Sequence, residues 1–173
     1  RRLTMYLNDY VGKFIKEDNY YGYQSTDLVS NYVQRLTLGR YKTKLNANKM
    51  KYERLPSSWK IIKAKDLLRT DDYREGDIFV SERISVFGFN GIIVYNHDFN
   101  NVTVITQNRD GKATNPVEEH LYPKKDIDYI IRPIERDYRE YFKKSDSKEK
   151  VTLSKQEYKK LLEAYNKMKE VFK

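Results

Sequence analysis

Few residues of this chain are equipped for covalent chemistry. Its 173 residues include no cysteine, which excludes disulfides, thiolate nucleophiles and Cys-ligated zinc. The two histidines, His97 and His120, are too few for a His-rich metal site, and both fall in segments predicted to be loops. Ser25 offers a hydroxyl, but a serine hydroxyl is nearly inert without a base beside it. The sequence therefore offers few residues for nucleophilic catalysis.

Anion binding is the second kind of chemistry that the sequence offers. The chain has 34 Lys and Arg against 25 Asp and Glu, a net charge of +9. Segment 35–65 holds ten basic residues and one acid, so its charge equals that of the whole chain. Tyr41, Tyr52 and Trp59 are interleaved with them. Two interpretations of this segment stay open: a solvated face and an anion-binding patch. The patch would comprise Arg35, Arg40, Lys42, Lys44, Lys49, Lys51 and Arg54.

Two helices are predicted in the first forty residues. Apolar residues at three-to-four spacing predict an amphipathic helix over 3–15. A second helix is expected from Ser25 to near Gly39, with Ser25 as its N-cap because serine is favoured there. Between them lies an aromatic loop that pivots on Gly22 and carries Tyr20, Tyr21 and Tyr23.

Strand patterns follow the helices. They cover 59–62, 77–80, 91–95, 102–106 and 128–132. The third and fourth flank a polar turn and predict a hairpin. Helices first and antiparallel strands afterwards indicate an α+β fold, with the helices packed on one side of the sheet.

The chain is expected to divide into a domain over 1–142, a linker over 143–153 and an amphipathic helix over 154–173. The apolar stripe of that helix would be covered either by its own domain or by a partner chain, such as another virion protein. No apolar run approaches the roughly 20 residues needed to span a bilayer. No cofactor is predicted.

Five motifs, taken in order, form a pattern beyond composition. They are Tyr21-Gly22-Tyr23-Gln24-Ser25, Gly76-Asp77-Ile78-Phe79-Val80, Gly88-Phe89-Asn90-Gly91, Thr106-Gln107-Asn108 and Ile130-Ile131-Arg132-Pro133. Together, across about residues 14–134, they resemble the CHAP domain, the cysteine, histidine-dependent amidohydrolase/peptidase of phage endolysins and bacterial wall hydrolases in the NlpC/P60 superfamily. The resemblance implies a papain-like fold in which a cysteine opens a helix and a strand histidine takes its proton.

Residue by residue, the resemblance implies that the catalytic set is degenerate. Ser25 stands at the nucleophile position, Phe89 at the base position and Thr106 at the acid position, while only Gln24 and Asn108 match the pattern. Phenylalanine cannot accept a proton. Some family members bind calcium beside the nucleophile, and the matching carboxylates here are Asp18 and Asp27. Because Lys16 stands where another ligand should be, no metal is predicted. The alternative for Asp27 is to stabilise the helix start.

These observations lead us to expect a pseudoenzyme. It would bind peptidoglycan or an anionic wall polymer such as teichoic acid without hydrolysis, as a phage virion or lysis component or a bacterial surface protein. A cytoplasmic location stays open. The cleft would be lined by Tyr20, Tyr21, Tyr23, Trp59 and Phe89. Alternatives are an active amidase or endopeptidase in which Ser25 replaces cysteine, and a basic protein for nucleic-acid binding or virion assembly.

Overall fold

The computed structural model describes residues 6–17, 22–67, 72–134 and 137–138. The chain divides into two units, Arg1–Tyr141 and Phe142–Lys173, and all of the described residues belong to the first. The predicted linker and C-terminal helix lie outside the described residues. Within them, no helix is long and apolar enough to cross a bilayer.

The described residues form one six-stranded sheet, and every neighbouring pair is antiparallel. The order across the sheet is β1-β6-β2-β3-β4-β5. The strands are β1 Lys60–Lys63, β2 Ile78–Ser81, β3 Phe89–Tyr95, β4 Asn101–Thr106, β5 Glu118–Pro123 and β6 Tyr129–Arg132. Five of the six were predicted, including the β3–β4 hairpin. The α+β class is therefore confirmed.

Helix α1 spans Ser25–Leu36 and packs on one face of the sheet. Its buried residues Leu28, Val29 and Val33 share a core cluster with the strand residues Ile92 and Ile105. We call this side of the sheet the helix face. Because side chains alternate along a strand, every second residue of β3 and β4 points to it.

The opposite side, the far face, has its own core cluster, which includes Phe79, Ile93, Val104 and Tyr122. Short 3₁₀ helices lie at Ala47–Tyr52, Ala64–Asp66 and Lys124–Asp126. The two faces together bury most of the apolar side chains of β2, β3 and β6.

The prediction of a helix over 3–15 holds only in part. Residues 6–8 are helical, but residues 9–12 form a turn and 13–16 have no helical structure. The Gly12 N–H donates to the Val117 carbonyl, and the Val117 N–H donates to the Lys13 carbonyl. This tertiary pairing competes with helix formation and leaves Phe14 half exposed.

Strand β5 was missed, so the placement of His120 in a loop is corrected. Its sequence, Glu118-Glu119-His120-Leu121-Tyr122-Pro123, is an edge strand that pairs with β4. Tyr122 is its one buried residue. An edge strand with one buried side chain has little apolar alternation for a sequence to reveal.

Two of the motifs meet in a buried ion pair. Arg132 donates from Nε and Nη2 to the two carboxylate oxygens of Asp77, at 2.8 and 2.7 Å. The Asp77 carboxylate is almost completely buried and also accepts the Arg74 N–H. These motifs therefore serve the fold by joining the start of β2 to the end of β6.

Candidate functional site

The start of α1 is stabilised by backbone hydrogen bonds to the Asp27 carboxylate. Gln24 is the N-cap, and Ser25 is the first helical residue rather than the cap that was predicted. The Asp27 carboxylate accepts the Gln24 N–H at 2.9 Å and the Glu17 N–H at 3.2 Å. These bonds hold the chain on both sides of the aromatic loop against the positive end of the helix.

Gln24 and Asn108, the two residues that match the family pattern, contact each other. Asn108 Nδ2 donates to Gln24 Oε1 at 2.9 Å, and Asn108 Oδ1 accepts the Ala113 N–H at 2.6 Å. Asn108 adopts a left-handed conformation with φ of 61°. The pair thereby links the helix start to the loop after β4.

Gln107 forms a second link, which the sequence interpretation gave no role. Its side chain is fully buried. It donates from Nε2 to the carbonyls of Ile15 and Gln24, at 2.7 and 3.1 Å, and accepts the Ile15 N–H at 2.8 Å. Gln107 therefore fastens the segment before the aromatic loop to the beginning of α1.

The structure does not bring Phe89 to the start of α1, which corrects its placement in the site. Its ring packs on the far face, 6.1 Å between centroids from both Phe79 and Tyr122. Alternation along β3 puts the next residue, Asn90, on the helix face. Since Ile92 pairs with Ile105, the same register continued two residues sets Gln107 opposite Asn90.

Asn90 has an unusual environment. It is completely buried, and neither its amide oxygen nor its amide nitrogen has a hydrogen-bond partner among the described residues. The polar side chains that β3 and the end of β4 turn toward the helix are thus amides. An amide cannot take a proton from a hydroxyl near neutral pH.

Thr106 and His120 meet on the far face. Thr106 Oγ1 lies 2.7 Å from His120 Nε2, and His120 Nδ1 lies 3.0 Å from the Leu121 carbonyl. Because a carbonyl only accepts, Nδ1 carries the proton of the neutral ring, and Nε2 accepts from the threonine. Burial lowers the pKa of His120, favouring that neutral ring. His97 lies in the exposed β3–β4 turn, so neither imidazole serves Ser25.

Of the two calcium candidates, only Asp27 lies among the described residues. Both oxygens of Asp27 accept backbone N–H groups, which supports the alternative that it stabilises the helix start. Asp18 lies outside the described residues. No group of three or more acidic, His or Cys residues within the described ranges is arranged to hold a metal ion.

Of the five residues predicted to line a cleft, Tyr23 is the one that the structure describes beside the helix start. Tyr23 contacts Phe14, with ring centroids 4.9 Å apart, and the Lys16 ammonium lies 5.9 Å from the Tyr23 ring centroid. Tyr20 and Tyr21 lie outside the described residues. Trp59 is buried, and its indole N–H donates to Asp137 at 2.5 Å, so it does not line a cleft. We call Phe14, Lys16 and Tyr23 the aromatic surface.

The predicted basic patch is exposed throughout but partly neutralised. Its members are all exposed: Arg35, Arg40, Lys42, Lys44, Lys49, Lys51 and Arg54. Lys42 pairs with Glu17 at 3.1 Å and Lys51 with Glu82 at 2.8 Å. Burial would raise the pKa of Glu17, but hydrogen bonds from two amide side chains and Lys42 lower it below its usual value. Lys42 and Lys51 are thus ion-paired, Arg40 donates to the Thr37 carbonyl, and Arg35 lies over the Tyr10 ring.

Comparisons with known proteins bear on the fold. Searches with protein-family models and against curated proteins found no match to this chain. Among solved structures, the wild-type endolysin LysIME-EF1 superposes with a TM-score of 0.64 at 20% identity, covering 76% of this chain and 62% of that one. Ly7917 superposes with a TM-score of 0.52 at 14% identity, covering 76% of this chain and 61% of that one. The chain thus spans about three fifths of either neighbour's length, and the likeness concerns the fold alone.

Proposed function

We propose that this chain is a catalytically degenerate CHAP-like domain with a papain-like core. It binds bacterial cell wall without hydrolysing it, as a phage virion or lysis component. The fold shared with an endolysin supports the peptidoglycan-related setting. The motif resemblance supports the family assignment.

One observation carries the non-hydrolytic part of the proposal. The helix-face side chains of Asn90 on β3 and of Gln107, which follows β4 and donates to the Gln24 carbonyl, are both amides. Proton transfer from a Ser25 hydroxyl needs a base within hydrogen-bond reach. The imidazole of His120 instead bonds to Thr106 on the far face. With no cysteine in the chain, the most reactive nucleophile type is absent as well.

The aromatic surface supplies a binding element beside the helix start. Phe14 is 52% exposed and lies against Tyr23, with a lysine ammonium alongside. Aromatic side chains offer large, rigid, partly apolar contact area at low entropic cost, which suits sugar rings and peptide stems. We assign the peptidoglycan contact to this surface.

A sedimentation assay tests the proposal. Purified walls, stripped of anionic polymers, are mixed with the intact chain while turbidity is followed. We expect the protein to pellet with the walls and the turbidity to stay constant. The variant Phe14→Ala/Tyr23→Ala should bind roughly tenfold more weakly, the loss typical of truncated aromatic anchors. Tyr95→Ala, which removes an exposed ring at the end of β3, is the matched control and should bind normally. Absence of wall binding, or clearing of the suspension, would refute the proposal.

A further inference from the structure

A cavity of about 510 Å³ opens on the far face, on the other side of the sheet from α1. Its apolar lining includes Leu67, Tyr73 and Ile127, which belong to or pack against the far-face core. The volume lies within the range of small-molecule sites, roughly 300–1,000 Å³. We call this cavity the far-face pocket. It is separate from the helix start and from the aromatic surface.

The far-face pocket is strongly basic. Among the described residues, the one carboxylate in its lining is that of Asp128. Five cations line it: Lys63, Lys65, Arg83, Lys124 and Lys125. Arg83 engages that carboxylate at 2.6 Å. The four lysines form no ion pair with a carboxylate of the described residues. They come from two separate stretches of chain, around the end of β1 and just after β5.

Lys124 lies against the aromatic lining of the pocket. Its ammonium donates to the Asp98 carbonyl at 2.5 Å and lies 5.2 Å from the Tyr73 ring centroid. Burial lowers the pKa of Lys124. Bringing like charges together around a partly apolar cavity costs free energy, and a bound anion would offset that cost.

The aromatic residues of the lining decide which of two classes of polyanion suits the pocket as a ligand. Single-stranded nucleic acids bind by stacking bases on exposed rings beside a basic groove. Tyr73 is buried, and the Lys124 ammonium occupies one side of its ring. Phe99, which is 76% exposed, leaves one ring for stacking. Charge with little stacking surface favours a phosphodiester chain without bases.

We propose that the far-face pocket binds a repeat unit of a phosphodiester-linked polyol chain, the chemistry of anionic wall polymers. This inference rests on the proposed function and separates two contacts: peptidoglycan at the aromatic surface and the phosphate-bearing polymer on the opposite side of the sheet. The basic patch of residues 35–54, in which two cations are paired, is not the principal polymer site.

Binding of the intact chain to three probes tests the inference. The probes are a poly(glycerol phosphate) oligomer, a single-stranded oligonucleotide of equal phosphate number, and polymer-free peptidoglycan. The test variant is Lys65→Gln/Lys125→Gln, and the control is Lys44→Gln/Lys49→Gln, which removes the same charge from exposed positions of the basic patch. We expect the dissociation constant for poly(glycerol phosphate) to rise about tenfold or more in the test variant. The control should change it by less than about threefold, because Lys44 and Lys49 do not line the pocket and act on its ligand only through solvent.

Each outcome bears on a different claim. Equal weakening in both variants, or tighter binding of the oligonucleotide than of poly(glycerol phosphate), would overturn the inference. Peptidoglycan binding without poly(glycerol phosphate) binding would also overturn it while leaving the proposed function in place. Failure to bind any wall material would remove both.

Discussion

Replacing Gln107 should weaken the fold strongly, because one buried side chain carries three hydrogen bonds across 92 and 83 residues of sequence. Each bond is worth about 1 kcal/mol net, and the loss of the one buried Cγ methylene adds about 0.8 kcal/mol. Gln107→Ala should therefore lower the free energy of unfolding by about 4 kcal/mol, a large share of the roughly 5–15 kcal/mol typical of a domain.

Gln107→Glu is the sharper test because it keeps the shape of the side chain. The carboxylate still accepts the Ile15 N–H but loses both donors, and it faces the carbonyls of Ile15 and Gln24. We expect a loss of about 3 kcal/mol in urea unfolding with an unchanged m-value. The Ile15 amide should lose hydrogen-exchange protection in Gln107→Ala and largely keep it in Gln107→Glu. A cost below about 1 kcal/mol for both variants would refute the idea that Gln107 fastens the segment before the aromatic loop to α1.

Three further predictions concern buried polar groups. Asp77→Ala should cost about 3 kcal/mol in urea unfolding because it strands the Arg132 guanidinium, whereas Glu82→Ala, at a more exposed pair, should cost about 0.5 kcal/mol or less; similar costs would contradict this. Asn90→Leu should raise the unfolding free energy by about 1 kcal/mol, since it removes two unsatisfied polar atoms, and a loss of stability would contradict it. Burial lowers the pKa of His120 below its usual 6.5. Its contribution to the folding stability should therefore be complete above pH 6.5 and be lost as the pH falls through the lowered pKa. Thermal unfolding of His120→Gln should lack this pH dependence, and an identical profile would refute it.

The local sequence pattern was sufficient to predict α1 and most strands of the sheet. Apolar spacing located the start of the helix to within one residue, and β-branched runs located the β3–β4 hairpin. The helix over 3–15 was overestimated because a pairing with Val117, about a hundred residues away, takes the chain out of the helix. Strand β5 was missed because an edge strand needs little apolar alternation.

Predicting the candidate site required the register of the strands, which a sequence determines less well than the presence of a strand. Gln24 and Asn108 could be singled out because both match the family pattern, but their contact with each other was not predicted. A one-residue choice on β3 decides whether Phe89 or Asn90 turns to the helix, and the core on each face settles it. The far-face pocket could not be foreseen, because its cations converge from segments far apart in the chain.

The central claim is that neither imidazole of the chain stands at the start of α1 to activate residue 25. The most direct measurement is wall turbidity with the unmodified chain and with Ser25→Cys, folding being checked by circular dichroism. A sulfur at this helix start would be reactive if an imidazole stood beside it. We predict constant turbidity for both proteins, and clearing by the Ser25→Cys variant would contradict the claim.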